Sequence, residues 1–182
     1  MGRDKIRQME QEEVLRYFDF ETASFAFNEF FNKESTEDHS IALLASSFLE
    51  MALEHILRAF LPEKDKEVEK LFSINGPLST FSGKISMCYS LGLIEKAIKD
   101  DLHLVRKIRN AFAHQLYANF ERDDIVKLCQ SLKWHKLVYV ANPPKEATAK
   151  QLFHVGVNQV ISYLSGAVSL ARSAKRQIIN NF

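Results

Sequence analysis

The chain reads as an all-α protein, and three observations carry that reading. Only 6 glycines and 4 prolines occur in 182 residues, of which 46% are apolar, a composition that suits packed helices better than a turn-rich sandwich. Apolar residues recur at three- and four-residue spacing in several separate stretches. Helix start and stop signals bracket those stretches. At this length a single domain over residues 1–182 with a real core is expected.

In chain order, residues 4–32 read as helix with a break near Asp19. The second half carries Phe18, Phe20, Phe25, Phe27, Phe30 and Phe31, more rings than one narrow face holds. This arm, residues 1–35, is buried on two sides, shared with a partner subunit, or simply a wide core face. Ser35-Thr36-Glu37-Asp38 is a helix start, with a capping side chain and first-turn acids. The helix that follows, to about Leu61, has Ile41, Leu44, Ala45, Phe48, Ala52, Ile56 and Ala59 as its apolar stripe, with His55 at the edge, and Pro62 stops it.

Residues 64–73 form a short charged helix, and Asn75-Gly76-Pro77 is the clearest turn. A helix over 79–91 places Phe81, Ile85, Cys88 and Tyr89 on a helical period, with Gly92 as its C-terminal cap. The next helix runs from about Ile94 to Leu116 or beyond. Asp123 or Asp124 caps a shorter one to Leu132. Residues 134–147, ending in Asn142-Pro143-Pro144, are a crossover. A C-terminal helix then fills most of 148–182, to about Asn180, with Arg172, Lys175 and Arg176 complementing its dipole.

Charge and composition exclude several roles. Lysine and arginine total 24 against 23 acids, a formal charge of +1. That balance argues against non-specific coating of nucleic acid while leaving room for a local basic site. Two cysteines, Cys88 and Cys129, read as reduced thiols. Residues 1–13 are too charged for a signal peptide, and no run approaches the roughly 20 apolar residues of a membrane span. A cytoplasmic protein with no membrane contact is expected.

The chemistry available is narrow. No glycine loop is spaced to cradle a phosphate. The six histidines (His39, His55, His103, His114, His135 and His154) make no metal-binding spacing, so neither metal nor cofactor is expected. No nucleophile elbow is present. Residues 68–84 resemble a helix-turn-helix only superficially, because the turn is long and the second helix offers one lysine; direct DNA binding is not expected.

What remains is the run from Leu102 to His114. Leu102, Val105, Ile108 and Phe112 make an apolar arc, and His103, Arg106, Asn110 and His114 an adjoining polar stripe. Arg109 falls on the apolar arc, where a charge needs a partner or a subunit boundary. Arg109, Asn110 and His114 are therefore the candidate site, with His103, Arg106 and Lys107 supplying positive charge for RNA or another ligand.

Arg-Asn-x-x-x-His on a long helix resembles the signature of the HEPN superfamily. The surrounding run resembles more closely the mannitol-operon-repressor (MltR) family. Its marks here are Gly-Pro-Leu-x-x-Phe-Ser-x-Lys-Ile at Gly76 to Ile85, Leu-Gly-Leu-Ile at Leu91 to Ile94, and Ile-Arg-Asn-x-Phe-Ala-His at Ile108 to His114. These motifs lie within a family core of residues 38–133. The resemblance implies a HEPN-like helical bundle with extra N-terminal and C-terminal helices, usually a homodimer whose motif helices face each other. For active HEPN nucleases it implies metal-independent RNA cleavage, with His114 as acid/base, Arg109 on the phosphate and Asn110 as the accompanying polar residue.

Helical geometry adds its own constraint. Arg109 and His114, five residues apart, project about 140° from each other. They converge on one phosphate only if the helix loosens or a second subunit contributes, whereas Asn110 and His114 can touch. Three readings follow: a regulatory protein acting through protein, ligand or RNA contacts; a metal-independent endoribonuclease; or a scaffold in which Arg109 pairs with Glu50 or Glu54.

Overall fold

The computed structural model describes residues 20–32, 37–63, 65–134 and 146–178. Among these every regular element is a helix, and there are seven: α1 (Phe20–Asn32), α2 (Asp38–Phe60), α3 (Lys66–Phe72), α4 (Phe81–Ser90), α5 (Lys96–His114), α6 (Asp123–Ser131) and α7 (Ala149–Ser173). The expectation of an all-α fold holds.

α2 is the central element. Ile41, Ala42, Ala45, Leu49, Ala52, Leu53, Ile56, Leu57 and Phe60 are all buried, a stripe wide enough to meet several neighbours. Its most extensive contacts are with α7 and α5, and α4 and α1 also pack against it. Contrary to the expectation that no run approaches a membrane span, α2, alone among the described helices, is long and apolar enough to cross a bilayer; it lies at the centre of the bundle, with Glu50, Glu54 and Arg58 in ion pairs. Leu61 caps it and Pro62 follows, as the sequence predicts.

Polar staples fix how the helices meet. Asp38 opens α2; one carboxylate oxygen accepts from the Phe120 N–H at 3.1 Å and the other pairs with Lys150 at 2.9 Å. Asp101, fully buried on α5, accepts from the backbone N–H groups of Lys133 (3.0 Å) and Trp134 (2.9 Å), which ties the chain beyond α6 to α5. Burial pushes the Asp101 carboxyl above its ordinary pKa, and these N–H donors oppose the rise. Gly92 closes α4 with φ of +71°. The Leu93 N–H reaches the Cys88 carbonyl and the Gly92 N–H that of Tyr89, a Schellman arrangement that uses glycine's access to the left-handed region.

In its described part, the phenylalanine arm turns one face to the core and is not buried on both sides. Phe27 is fully buried, Phe30 and Phe31 pack partly against the core, and Phe25 is 67% exposed. Phe18 and residues 1–19 lie outside the described residues, as do residues 135–145 of the expected crossover and Ser35 and Thr36 of the expected helix start. Phe31 stacks on the His154 ring at 3.7 Å. His154 Nε2 is 2.6 Å from Asn28 Oδ1, which also accepts from Asn158 at 2.8 Å.

Three boundaries differ from expectation. α5 stops at His114, so Leu116, expected within the helix, lies beyond it and is 81% exposed. The cap of α6 is Arg122, with Asp123 and Asp124 inside the first turn and Arg122 paired to Asp124 at 2.8 Å. The C-terminal helix ends at Ser173 instead of continuing to about Asn180. Beyond it the Arg176 N–H donates to the Phe60 carbonyl at 2.8 Å, Arg176 lies over the Phe60 ring, and Lys175 pairs with Glu63. The orphan carbonyl at the end of α2 thus captures the segment, and Lys175 and Arg176 serve α2 rather than the dipole of α7.

Two outcomes are expected from these staples. Asp101→Ala should lower stability by about 2–3 kcal/mol in denaturant unfolding, because two buried backbone donors lose their acceptor. Burial also holds the His154 imidazole down at about 4. Its folded pKa is depressed, so its contribution is complete above the unfolded value of about 6.5 and is lost as pH falls towards about 4. Stability should therefore drop over that interval by about 2 kcal/mol, allowing for partial solvent screening. His154→Gln should remove that component from a pH series of thermal melts.

Candidate functional site

α5 forms because Ile98, Leu102, Val105, Ile108 and Phe112 give it a buried stripe at three- and four-residue spacing. Its polar stripe divides. Arg106 and Asn110 are half-buried and face a cleft of about 320 Å³, whereas His114, at the helix end, is exposed and does not line it. The rest of the cleft comes from Ser46, Ser47 and Glu50 on α2 and from Ser79, Thr80, Phe81 and Ser82 at the entry to α4.

Arg109 also lines this cleft and is exposed. It occupies the apolar arc of α5 as the sequence indicates, but at a level where α2 and the start of α4 leave an opening instead of core. The salt bridge to Glu50 or Glu54 does not form. Lys84, 7% exposed, takes both acids, at 3.0 Å to Glu50 and 3.1 Å to Glu54. Arg58 bonds Glu54 at 3.0 Å and Glu69 at 3.1 Å. Arg109 Nη1 instead donates to Asn110 Oδ1 at 3.2 Å. No hydrogen bond joins Asn110 to His114, so the amide does not orient the imidazole as four-residue spacing allows.

The structure thus brings together Arg106, Arg109 and Asn110 and leaves out His103, Lys107 and His114. His103 is half-buried one turn before Arg106; burial first, then the charges of Arg106 and Lys99, pushes its pKa down. Lys107 is exposed on the outer side of α5. The sequence reading missed the hydroxyl wall. Its signal was present: Ser46-Ser47 interrupts an apolar helix, and Ser79-Thr80-x-Ser82 supplies more hydroxyls than a cap requires.

Local structure explains that wall. Thr80 caps α4 by accepting from the Gly83 N–H at 3.1 Å. A side chain at Gly83 would meet the Pro77 carbonyl at 2.1 Å, so only glycine lets the turn pack this closely on the first turn of α4. Ser46 Oγ and Arg106 Nε are buried without a hydrogen-bond partner among the described residues, and both residues line the cleft.

Other chemistry is poorly provided for. Burial pushes the Cys88 and Cys129 thiols up to about 12, far from a reactive thiolate. No group of three or more potential ligands among the described residues could hold a metal ion.

The sequence profile of the mannitol repressor family matches residues 30–177. The chain belongs to that family. The match extends beyond residues 38–133, where the quoted motifs lie, to include α7 and the end of α1, in keeping with the packing of α7 on α2. Membership places the chain in a family described as repressors, regulatory proteins by class. Comparison with the curated proteins and with the solved structures returned no match.

The Lys84 cluster gives a direct test. Lys84→Ala leaves two carboxylates facing each other with one cation lost, and should lower stability by about 2–3 kcal/mol in urea unfolding, discounted for the partial exposure of Glu50. Lys84→Ala combined with Glu50→Gln should recover part of that loss.

Proposed function

We propose that this family member is a regulatory protein that acts through ligand or protein contacts at the α5 cleft, as a homodimer, without reading DNA itself. The observation that carries the reading is the convergence of Arg106, Arg109 and Asn110 with α2 and α4 hydroxyls in one cleft, where Lys84 already neutralises Glu50.

Two further features support it. The connection from α3 to α4 runs from Ser73 to Thr80, longer than the tight turn of a helix-turn-helix. The lysine such a motif would present, Lys84, is buried in ion pairs. Pairing of two chains is supported by Leu116 and Tyr117, 81% and 86% exposed just beyond His114, an apolar pair suited to a partner surface. Cytoplasmic action fits this role.

A second reading, metal-independent RNA cleavage, is favoured by one observation: Arg109 and His114 are both exposed, and no carboxylate among the described residues pairs with either. Because His114 lies outside the cleft, that chemistry needs the imidazole from a second copy.

The regulatory reading is tested with the full-length protein on its own promoter and on mannitol-operon DNA. The expected result is no gel shift by the protein alone, together with loss of reporter repression in cells for Arg106→Gln and Arg109→Gln variants that melt like wild type. A saturable shift by the protein alone, or unchanged repression by both variants, overturns it. Light scattering should give twice the chain mass, and Leu116→Glu should reduce it to one chain. Cleavage of structured RNA in EDTA that disappears in His114→Ala would establish the second reading instead.

A further inference from the structure

We infer that the cleft between α2, α4 and α5 is a binding site for a small phosphate monoester; this rests on the reading of that cleft as the ligand-contacting site. The first support is charge. Arg106 and Arg109 enter the cleft with no carboxylate partner among the described residues, while the acid in its wall, Glu50, is held by Lys84. Two guanidinium groups facing a cavity with its acid already neutralised match a dianion.

The second is the set of idle donors. Ser46 is 4% exposed, and its hydroxyl has no partner among the described residues. Such a group costs free energy unless something in the cleft bonds to it. Arg106 Nε is in the same position. Ser47, Ser79 and Ser82 add hydroxyls around the same opening, and the Thr80 hydroxyl, accepting from Gly83, keeps its own hydrogen to donate.

The third is direction. α4 has 10 residues and begins at this cleft. Its cap uses the N–H groups of Gly83 and Lys84. The N–H groups of Phe81 and Ser82, in the first turn, have no acceptor within the helix. Helix amides of α4, guanidinium groups of α5 and the α2 hydroxyl therefore come from the three helices that line the cleft. That suits the three terminal oxygens of a phosphoryl group better than a planar carboxylate, and oriented amides at a helix start favour such anions. A volume of about 320 Å³ is at the small end of ligand pockets, which run from roughly 300 Å³ upward. That volume suits a phosphoryl group with a short body.

The test is isothermal titration of the full chain at pH 7.5 with inorganic phosphate and phenyl phosphate, which carry close to two charges there. Dimethyl phosphate (one charge), acetate and a single-stranded RNA ten-mer serve as comparisons. Phenyl phosphate should bind saturably at one site per chain, and dimethyl phosphate and acetate far more weakly. Arg106→Gln and Arg109→Gln should each weaken phenyl phosphate binding about tenfold, and Ser46→Ala about threefold, in proteins whose melting is unchanged. Absence of saturable binding by phosphate and phenyl phosphate overturns the inference, as does equal affinity in all three variants. RNA binding that displaces phenyl phosphate and is lost in the same variants overturns it in favour of a nucleic-acid site. The two readings separate cleanly. Loss of repression in the arginine variants without any phosphate binding removes the ligand class and leaves the regulatory role. Phosphate binding with unchanged repression establishes the ligand and removes that role.

Discussion

The arrangement of this bundle around its cleft depends on one buried cation. Lys84 lies between α4 and α2 with almost no contact with water, and so must keep both Glu50 and Glu54 within ion-pair distance. That requirement fixes how α4 sits on α2, and with it where the first turn of α4 opens. It also decides the electrostatics next door. With Glu50 engaged by Lys84, nothing acidic in the described wall of the cleft is left for Arg106 and Arg109, and the opening between the three helices is basic although the chain as a whole is nearly neutral.

The same economy of polar contacts recurs elsewhere. Apolar stripes on α2, α5 and α7 supply the burial that makes the fold stable, but they do not by themselves say where the connecting segments lie. A few side chains do. Asp101 gathers the backbone donors of residues 133 and 134, Asp38 holds Phe120 and Lys150, and the end of α2 captures Arg176 through an otherwise unsatisfied carbonyl. Each joins positions far apart in sequence by satisfying groups that burial would otherwise leave unpaired.

The Arg-Asn-x-x-x-His run illustrates how a motif can divide in three dimensions. The helix is regular and stops at His114, so the five-residue spacing keeps Arg109 and His114 apart as helical geometry demands. Arg109 and Asn110 join the cleft; His114 stays outside it. Membership of the mannitol repressor family places the chain among regulatory proteins, and the motif alone does not specify cleavage.

Much of the fold was legible in the residues themselves. Periodicity and punctuation located the helices and the all-α class, and Gly92 and Pro62 ended their helices where local chemistry says they should, because these signals act within a few residues of one another. The line of motifs from Gly76 to His114 likewise identified the family before any packing was known. What the residues did not contain was the set of distances across the bundle. Arg109 reads as a misplaced charge on an apolar arc until the opening beneath it is seen. Glu50 reads as its partner until Lys84 is found there first, and nothing local marks Ser46, Ser79 and Ser82 as neighbours until they line one cleft. Those facts arise from three helices meeting in space, where burial and competition for partners settle which charges pair and which remain available.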